Sequence, residues 1–449
     1  MLRPGAAAPP GPDTSSSRPH ILAFDLIRVL IVAFVVAVHT LANAGGHVTL
    51  ALGSVSTVFH TSRELFFLLT AFVLTYNYGR RGGIRWLAFW RRRYRLVIPA
   101  YLAWSVIYYA ADGDRLDPVT AAAVSLGRDL LTGNARYQLY FLLVTMQVYL
   151  VFPLLRWLLR ATAGHHLALF LAAGAYQLAL TVAIQQHAVT TGPIGAWLHK
   201  PNALLASYLL YVIAGAIGAW HFDRLVAFTR RHSAAALAAL PAGVGAGLGT
   251  YFAQITFGGQ SPAAASAVFQ PVVVVESLLI GWALFALGLR WVSAGARHRR
   301  LISTGADSSF GIFLAHPLVL QGVIALAGAT GVLTAVRHAP GAGELAALLL
   351  IGLPLVYGMS WALVFLARRT PLSLVLTGRP RARRGQDGLP AAVTHPPGGP
   401  AASHPEQENP CARSATHATS PSRPATSTPP STSTSAAWAS SSPAATRTG

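Results

Sequence analysis

Residues 21–42 read Ile21-Leu-Ala-Phe-Asp25-Leu-Ile-Arg28-Val-Leu-Ile-Val-Ala-Phe-Val-Val-Ala-Val-His39-Thr-Leu-Ala42. A bilayer core about 30 Å thick takes about 20 apolar residues of helix to cross. This stretch is long enough, and only Asp25, Arg28 and His39 in it are costly to place in lipid. A Pro/Ala/Ser-rich segment, residues 1–20, precedes it, and no small-residue cleavage site follows. The stretch is therefore expected to stay as a span rather than be removed as a signal peptide.

Working outward, comparable stretches recur at 58–78, 96–111, 137–158, 167–185, 203–219, 234–255, 272–289, 310–330 and 344–367. The chain therefore reads as an all-α membrane protein, a bundle of about ten transmembrane helices over residues 21–369. The stretches at 167–185 and 234–255 are rich in Ala and Gly, which predicts close helix packing. Composition agrees: 53% of the 449 residues are hydrophobic and 11% charged, against about 25% charged in soluble domains. A single cysteine, Cys411, excludes both a disulfide framework and a cysteine metal cluster. No metal and no permanently bound cofactor are expected. After about residue 386, Pro, Ser, Thr and Ala dominate, and 386–449 reads as a disordered tail.

The net charge of +20 does not point to nucleic acid, because the arginines sit in short clusters between apolar spans. With a cytoplasmic N-terminus, the even-numbered connections hold most of them, from Arg80 to Arg95, then Arg156 and Arg160, Arg224 to Arg231 and Arg290 to Arg300. The segment after the last span adds Arg368, Arg369 and Arg379. The opposite connections carry few basic residues, and the 112–136 loop is acidic. That asymmetry predicts both termini in the cytoplasm, residues 1–20 as a disordered cytoplasmic N-terminus, and a multi-pass protein of the plasma membrane.

Eleven helical positions rotate about 1100° and rise about 16 Å. Arg28 and His39 therefore share one face of the first helix, with Asp25 placed at i−3 to pair with Arg28. Ionisable groups at such depth usually face a cavity or a functional path. Asp25 and Arg28 can also be read as snorkelling interfacial anchors, and His39 as a satisfied polar residue near the far interface. In the second stretch, Glu64 can face the bundle interior or pair with Arg63 at an interface. The connection Phe89-Trp90-Arg91-Arg92-Arg93-Tyr94-Arg95 fits an ordinary positive stop or a guanidinium cluster for phosphate. Arg92 and Arg95, at i,i+3, can project together.

Taken together these segments resemble the acyltransferase 3 family of membrane O-acyltransferases. The stretches that carry the likeness are Asp25-x-x-Arg28 with His39, Glu64 through Phe72, Arg92-x-x-Arg95 through Pro99, Tyr140 through Pro153, and Ser309 through Pro317 with His316. Thr70-Ala71 stands where the family usually has Ser-Gly. The resemblance implies transfer of an acyl group, usually acetyl, from acyl-CoA to a hydroxyl of a carbohydrate or secondary metabolite. It makes His39 the catalytic histidine, Arg28 the arginine paired with it, and Arg92 and Arg95 the cytoplasmic arginine motif. The residues themselves add Asp25, to hold Arg28, and Arg91, as part of the phosphate dock for the donor. Glu64, Tyr140 and His316 become candidates for the acceptor side. A transporter or flippase of a lipid-linked sugar fits the intramembrane charges too, but the chain shows no internal repeat of the kind common in transporters. A non-catalytic assembly partner is the remaining alternative.

Overall fold

A computed structural model describes residues 19–112 and 119–381. Most of the expected disordered N-terminus, Asp114 and Asp117 of the acidic loop, and the tail 386–449 with Cys411 lie outside the described residues. Among the described residues there are helices and no strand, all within one contact unit, Met1–Gly388.

Helix α1 (Ala23–Ala44) is almost wholly apolar. Two helices, α2 (Leu50–Phe59) and α3 (Thr61–Tyr78), together make the second span, Leu50–Tyr78. Thr49 starts α2, its hydroxyl accepting from the Leu52 amide at 3.2 Å, as an N-cap should. Next come α4 (Trp86–Ala111), the shorter α5 (Val119–Thr132), α6 (Tyr140–Ala161), α7 (His166–Gln185) and α8 (Gly192–His199). Two 3-10 turns lead into α9 (Leu209–Trp220), which meets α10 (Phe222–Arg231) at a 91° bend. The rest are α11 (Ser233–Thr256), α12 (Pro262–Ala265), α13 (Pro271–Ser293), α14 (Arg299–Ala329), α15 (Val332–His338), α16 (Gly341–Ala347), α17 (Leu353–Ala367) and α18 (Ser373–Thr377). A π turn, Leu348–Gly352, joins α16 to α17 ahead of Pro354.

Among the described residues, eight helices are long and apolar enough to cross a membrane, nine with the bent pair counted as one span. The ten expected spans differ from this at α4. Its first half holds the arginines, and only residues 96–111 are apolar, short of the roughly 20 a full crossing needs. It still runs between the two ends of the bundle. Arg93 lies near one end, beside the cavity of Arg28. At the other, Tyr108 lies under the Arg136 guanidinium, whose second ring neighbour, Tyr137, touches His39.

Glycines set the closest helix approaches. A methyl on Gly215 of α9 would overlap the Leu68 carbonyl of α3, and Gly243 and Gly247 of α11 lie against Glu276, Leu279 and Ile280 of α13. Close packing at 234–255 is thus present. At 167–185, α7 packs on α9 through a face that buries Ala173, Gln177, Leu180 and Thr181, while Gly174 faces open space.

Candidate active site

Two cavities lie along one side of α1. The first is lined by His39 with Val35 and Val38 of α1, by His60, Ser62, Arg63 and Phe66, by Gln138, Tyr140 and Phe141, and by Asn202, Val268 and Phe313. His39 packs 4.4 Å from the Tyr137 ring and 5.3 Å from the His316 ring. Its ring nitrogens make no hydrogen bond among the described residues, so they are free for a substrate. His316 is fully buried. Its Nδ1 lies 3.2 Å and 2.8 Å from the carbonyls of Ile312 and Phe313. Carbonyls only accept, so Nδ1 carries the proton and Nε2 presents a lone pair. That Nε2 has no partner among the described residues. Tyr137 lies outside the helices, and burial pushes its phenol up, with Arg136 opposing; it stays a protonated donor beside His39.

Arg63 and Glu64 take the pairing and the interior position at once. Arg63 Nε and Nη2 donate to Glu64 Oε1 at 3.0 and 2.5 Å, and Nη1 donates to Asn202 Oδ1 at 3.2 Å. The guanidinium also lies over Tyr208 and Phe269, at 5.1 and 4.2 Å. Such a pair repays its desolvation only with this many partners. Of the two, Arg63 lines the cavity and Glu64 anchors it from behind. Tyr140 lines the cavity as well.

The second cavity is lined by Arg28, Arg93 and Arg379 with Asp307, together with Thr70, Thr145, Tyr149, Ser309 and apolar residues including Phe66, Phe141 and Phe310. Arg28 makes no hydrogen bond or ion pair among the described residues. The expected Asp25–Arg28 pair does not form. Asp25 instead accepts from His20 Nε2 at 3.0 Å and from Ser303 Oγ at 2.9 Å; it ties the chain entering α1 to the start of α14. Arg91, Arg92 and Arg95 are exposed on α4. Arg93 is the member of the cluster in the cavity, with Tyr78, Phe89 and Tyr149 rings 5.4, 5.8 and 5.9 Å from its guanidinium. Arg379 pairs with Asp307 at 2.8 Å.

Sequence reasoning missed Arg93 and Arg379. The signal for Arg93 was present: it lies four residues from both Phe89 and Val97, which are buried, so it falls on the inward stripe of α4. Arg379 had no such signal. It reaches the cavity because Gly378 adopts φ +65°, a left-handed turn after α18, and because the Ser373 hydroxyl holds the Arg379 carbonyl at 2.8 Å. Asn202 and Gln138 lie in connections whose contacts no periodicity predicts.

A family model described as an acyltransferase domain matches residues 21–365. No curated protein and no solved structure matches the chain.

Proposed function

This chain belongs to the acyltransferase 3 family and is a multi-pass membrane acyltransferase, and we propose that it moves a short acyl group, acetyl first, from acyl-CoA to a hydroxyl of a carbohydrate or secondary metabolite. The observation that carries this reading is the pair of cavities along α1, one lined by arginines and the other by the free imidazole of His39. Coenzyme A is a polyanion, and guanidinium forks suit its phosphates. Arg28 and Arg93, with Arg379 beside them, hold that end of the donor. The rise from Arg28 to His39, about 16 Å along the helix, is spanned by the donor's pantetheine arm.

The other cavity suits a hydroxyl-rich acceptor. Ser62, Gln138, Tyr140 and Asn202 offer hydrogen bonds, and Phe66, Phe141 and Phe313 offer flat apolar faces. His39 takes the acceptor's hydroxyl proton. The oxygen then attacks the thioester carbonyl, the carbon–sulfur bond breaks, and the departing thiolate recovers the proton from the imidazolium. The products are an O-acyl ester and free CoA. Tyr137, a phenol next to His39, orients the ring.

Purified protein in nanodiscs, given radiolabelled acetyl-CoA and a panel of sugars and hydroxylated metabolites, tests the reading. It predicts one thiol released for each O-acetyl product. In sealed proteoliposomes, accumulation of unmodified sugar inside the vesicles with no thiol release would instead support a flippase.

A further inference from the structure

The two cavities meet back to back at Phe66 and Phe141, which line both. With Phe313 they close a triangle of rings. Phe66 meets Phe141 edge-on at 4.4 Å and 81°, Phe141 lies 5.0 Å from Phe313, and Phe66 lies 6.1 Å from Phe313. Two sides of the triangle are fixed. Phe141 is buried and stacks on the fully buried Phe67 at 4.5 Å. Phe313 is buried one turn before His316 on α14. Phe66 is the less buried ring, so it is the one free to swing.

We propose that Phe66, Phe141 and Phe313 form an aromatic partition that sizes the acyl group and keeps water from the donor side off the thioester. The inference rests on the acyl-CoA reading above. A donor anchored at Arg28 and Arg93 must push its acyl end through or against these rings to reach His39. With Phe66 displaced, a short acyl group sits among three ring faces, and a longer one meets Phe141 and Phe313, which cannot move aside. The two residues shared by the cavities, Phe66 and Phe141, have apolar rings that offer water no hydrogen bond on its way from one cavity to the other. Without them, water's oxygen attacks the thioester carbonyl, the carbon–sulfur bond breaks, a proton goes to the thiolate, and carboxylate and CoA are lost with no acceptor modified. Phe66 is thus a specificity-determining and coupling residue, set apart from the proton chemistry of His39.

The test compares wild type, Phe66→Ala, Phe66→Leu and Phe66→Trp in nanodiscs, with acetyl-, butyryl-, hexanoyl- and octanoyl-CoA. It reads transfer to acceptor, thiol release without acceptor, CoA affinity and melting temperature. One methylene in a fitted pocket is worth about 10- to 200-fold in rate. Phe66→Ala is therefore expected to raise the hexanoyl-to-acetyl ratio, and thiol release without acceptor, by at least about tenfold. Phe66→Leu, the milder change, moves both the same way by less. Phe66→Trp lowers acetyl transfer with CoA affinity unchanged. If well-folded Phe66→Ala or Phe66→Leu keeps the wild-type chain-length profile and hydrolysis within about twofold, the partition is wrong while the donor reading stands. If wild type turns over no acyl-CoA, the donor reading falls and the partition with it.

Discussion

Arg93→Ala separates the fold's account of donor binding from the one a plain reading of the arginine cluster suggests. The buried Nε of Arg93 has no hydrogen-bond partner among the described residues, and its guanidinium sits in an aromatic cage open to the Arg28 cavity. A hydrogen bond to a charged group contributes about 1.5–3 kcal/mol net. At about 1.4 kcal/mol per tenfold, its removal raises the Kd for CoA about 10- to 150-fold. Arg92 and Arg95 are exposed, and exposed charge pairs contribute about 0–1 kcal/mol, at most about fivefold. Arg92→Ala with Arg95→Ala removes two such charges, so together they should weaken CoA by at most about 2 kcal/mol, about 25-fold, and by less than Arg93→Ala does. The assay is equilibrium binding of labelled CoA to protein in nanodiscs at 0.05 and 0.15 M salt, with melting temperature as the folding control. Arg93→Lys should recover part of the loss, since it keeps the charge and not the fork. The reasoning fails if Arg93→Ala binds CoA as wild type does, or if the Arg92/Arg95 double variant loses as much as Arg93→Ala.

Other consequences concern the ends of the chain and the helix contacts. Arg379→Ala should weaken CoA less than Arg93→Ala, by at most about fivefold, because Arg379 is 40% exposed and already paired with Asp307; the same binding assay checks it. Gly215→Ala should lower stability by about 1–3 kcal/mol, because the new methyl meets the Leu68 carbonyl and backbone cannot step aside; denaturation in detergent measures it. The hydrogen bond to Asp25 holds the His20 imidazole above its usual value, against burial. His20 lies outside the spans, and its raised value makes the pair's stabilisation fully present below about pH 6.5. It is lost as pH rises through the folded value. The melting-temperature gap between wild type and His20→Ala should therefore be open in mild acid and close in base.

Much of the bundle was legible because lipid leaves so few options. Uninterrupted apolar stretches long enough to cross must be helices, and their edges fell within a few residues of α6, α7, α11 and α13. The stripe of Arg28 and His39 on α1 was legible for the same reason, since its period belongs to one helix. What depends on two elements was not. Asp25 looked like a partner for Arg28 because both lie on α1, but the bonds it makes come from His20 and from Ser303 on α14. Arg92 and Arg95 share a face of α4, yet that face points outward. The buried face is marked by Phe89, Val97, Tyr101 and Trp104, and Arg93 is on it. Asn202 and Arg379 come from turns, where side-chain direction follows from local φ and not from a repeat. Glu276 was the overlooked intramembrane acid: it is fully buried against Gly247 and lines neither cavity described above.

The central claim is that His39 is the base in acyl transfer and does not hold the donor. The most direct measurement is acetyl transfer by His39→Ala in nanodiscs, with CoA affinity measured on the same sample. A general base supplies about 10²- to 10⁴-fold. The account predicts that transfer falls by at least about 100-fold while the Kd for CoA stays near wild type. Transfer retained within about tenfold of wild type, in protein that still binds CoA, would contradict it.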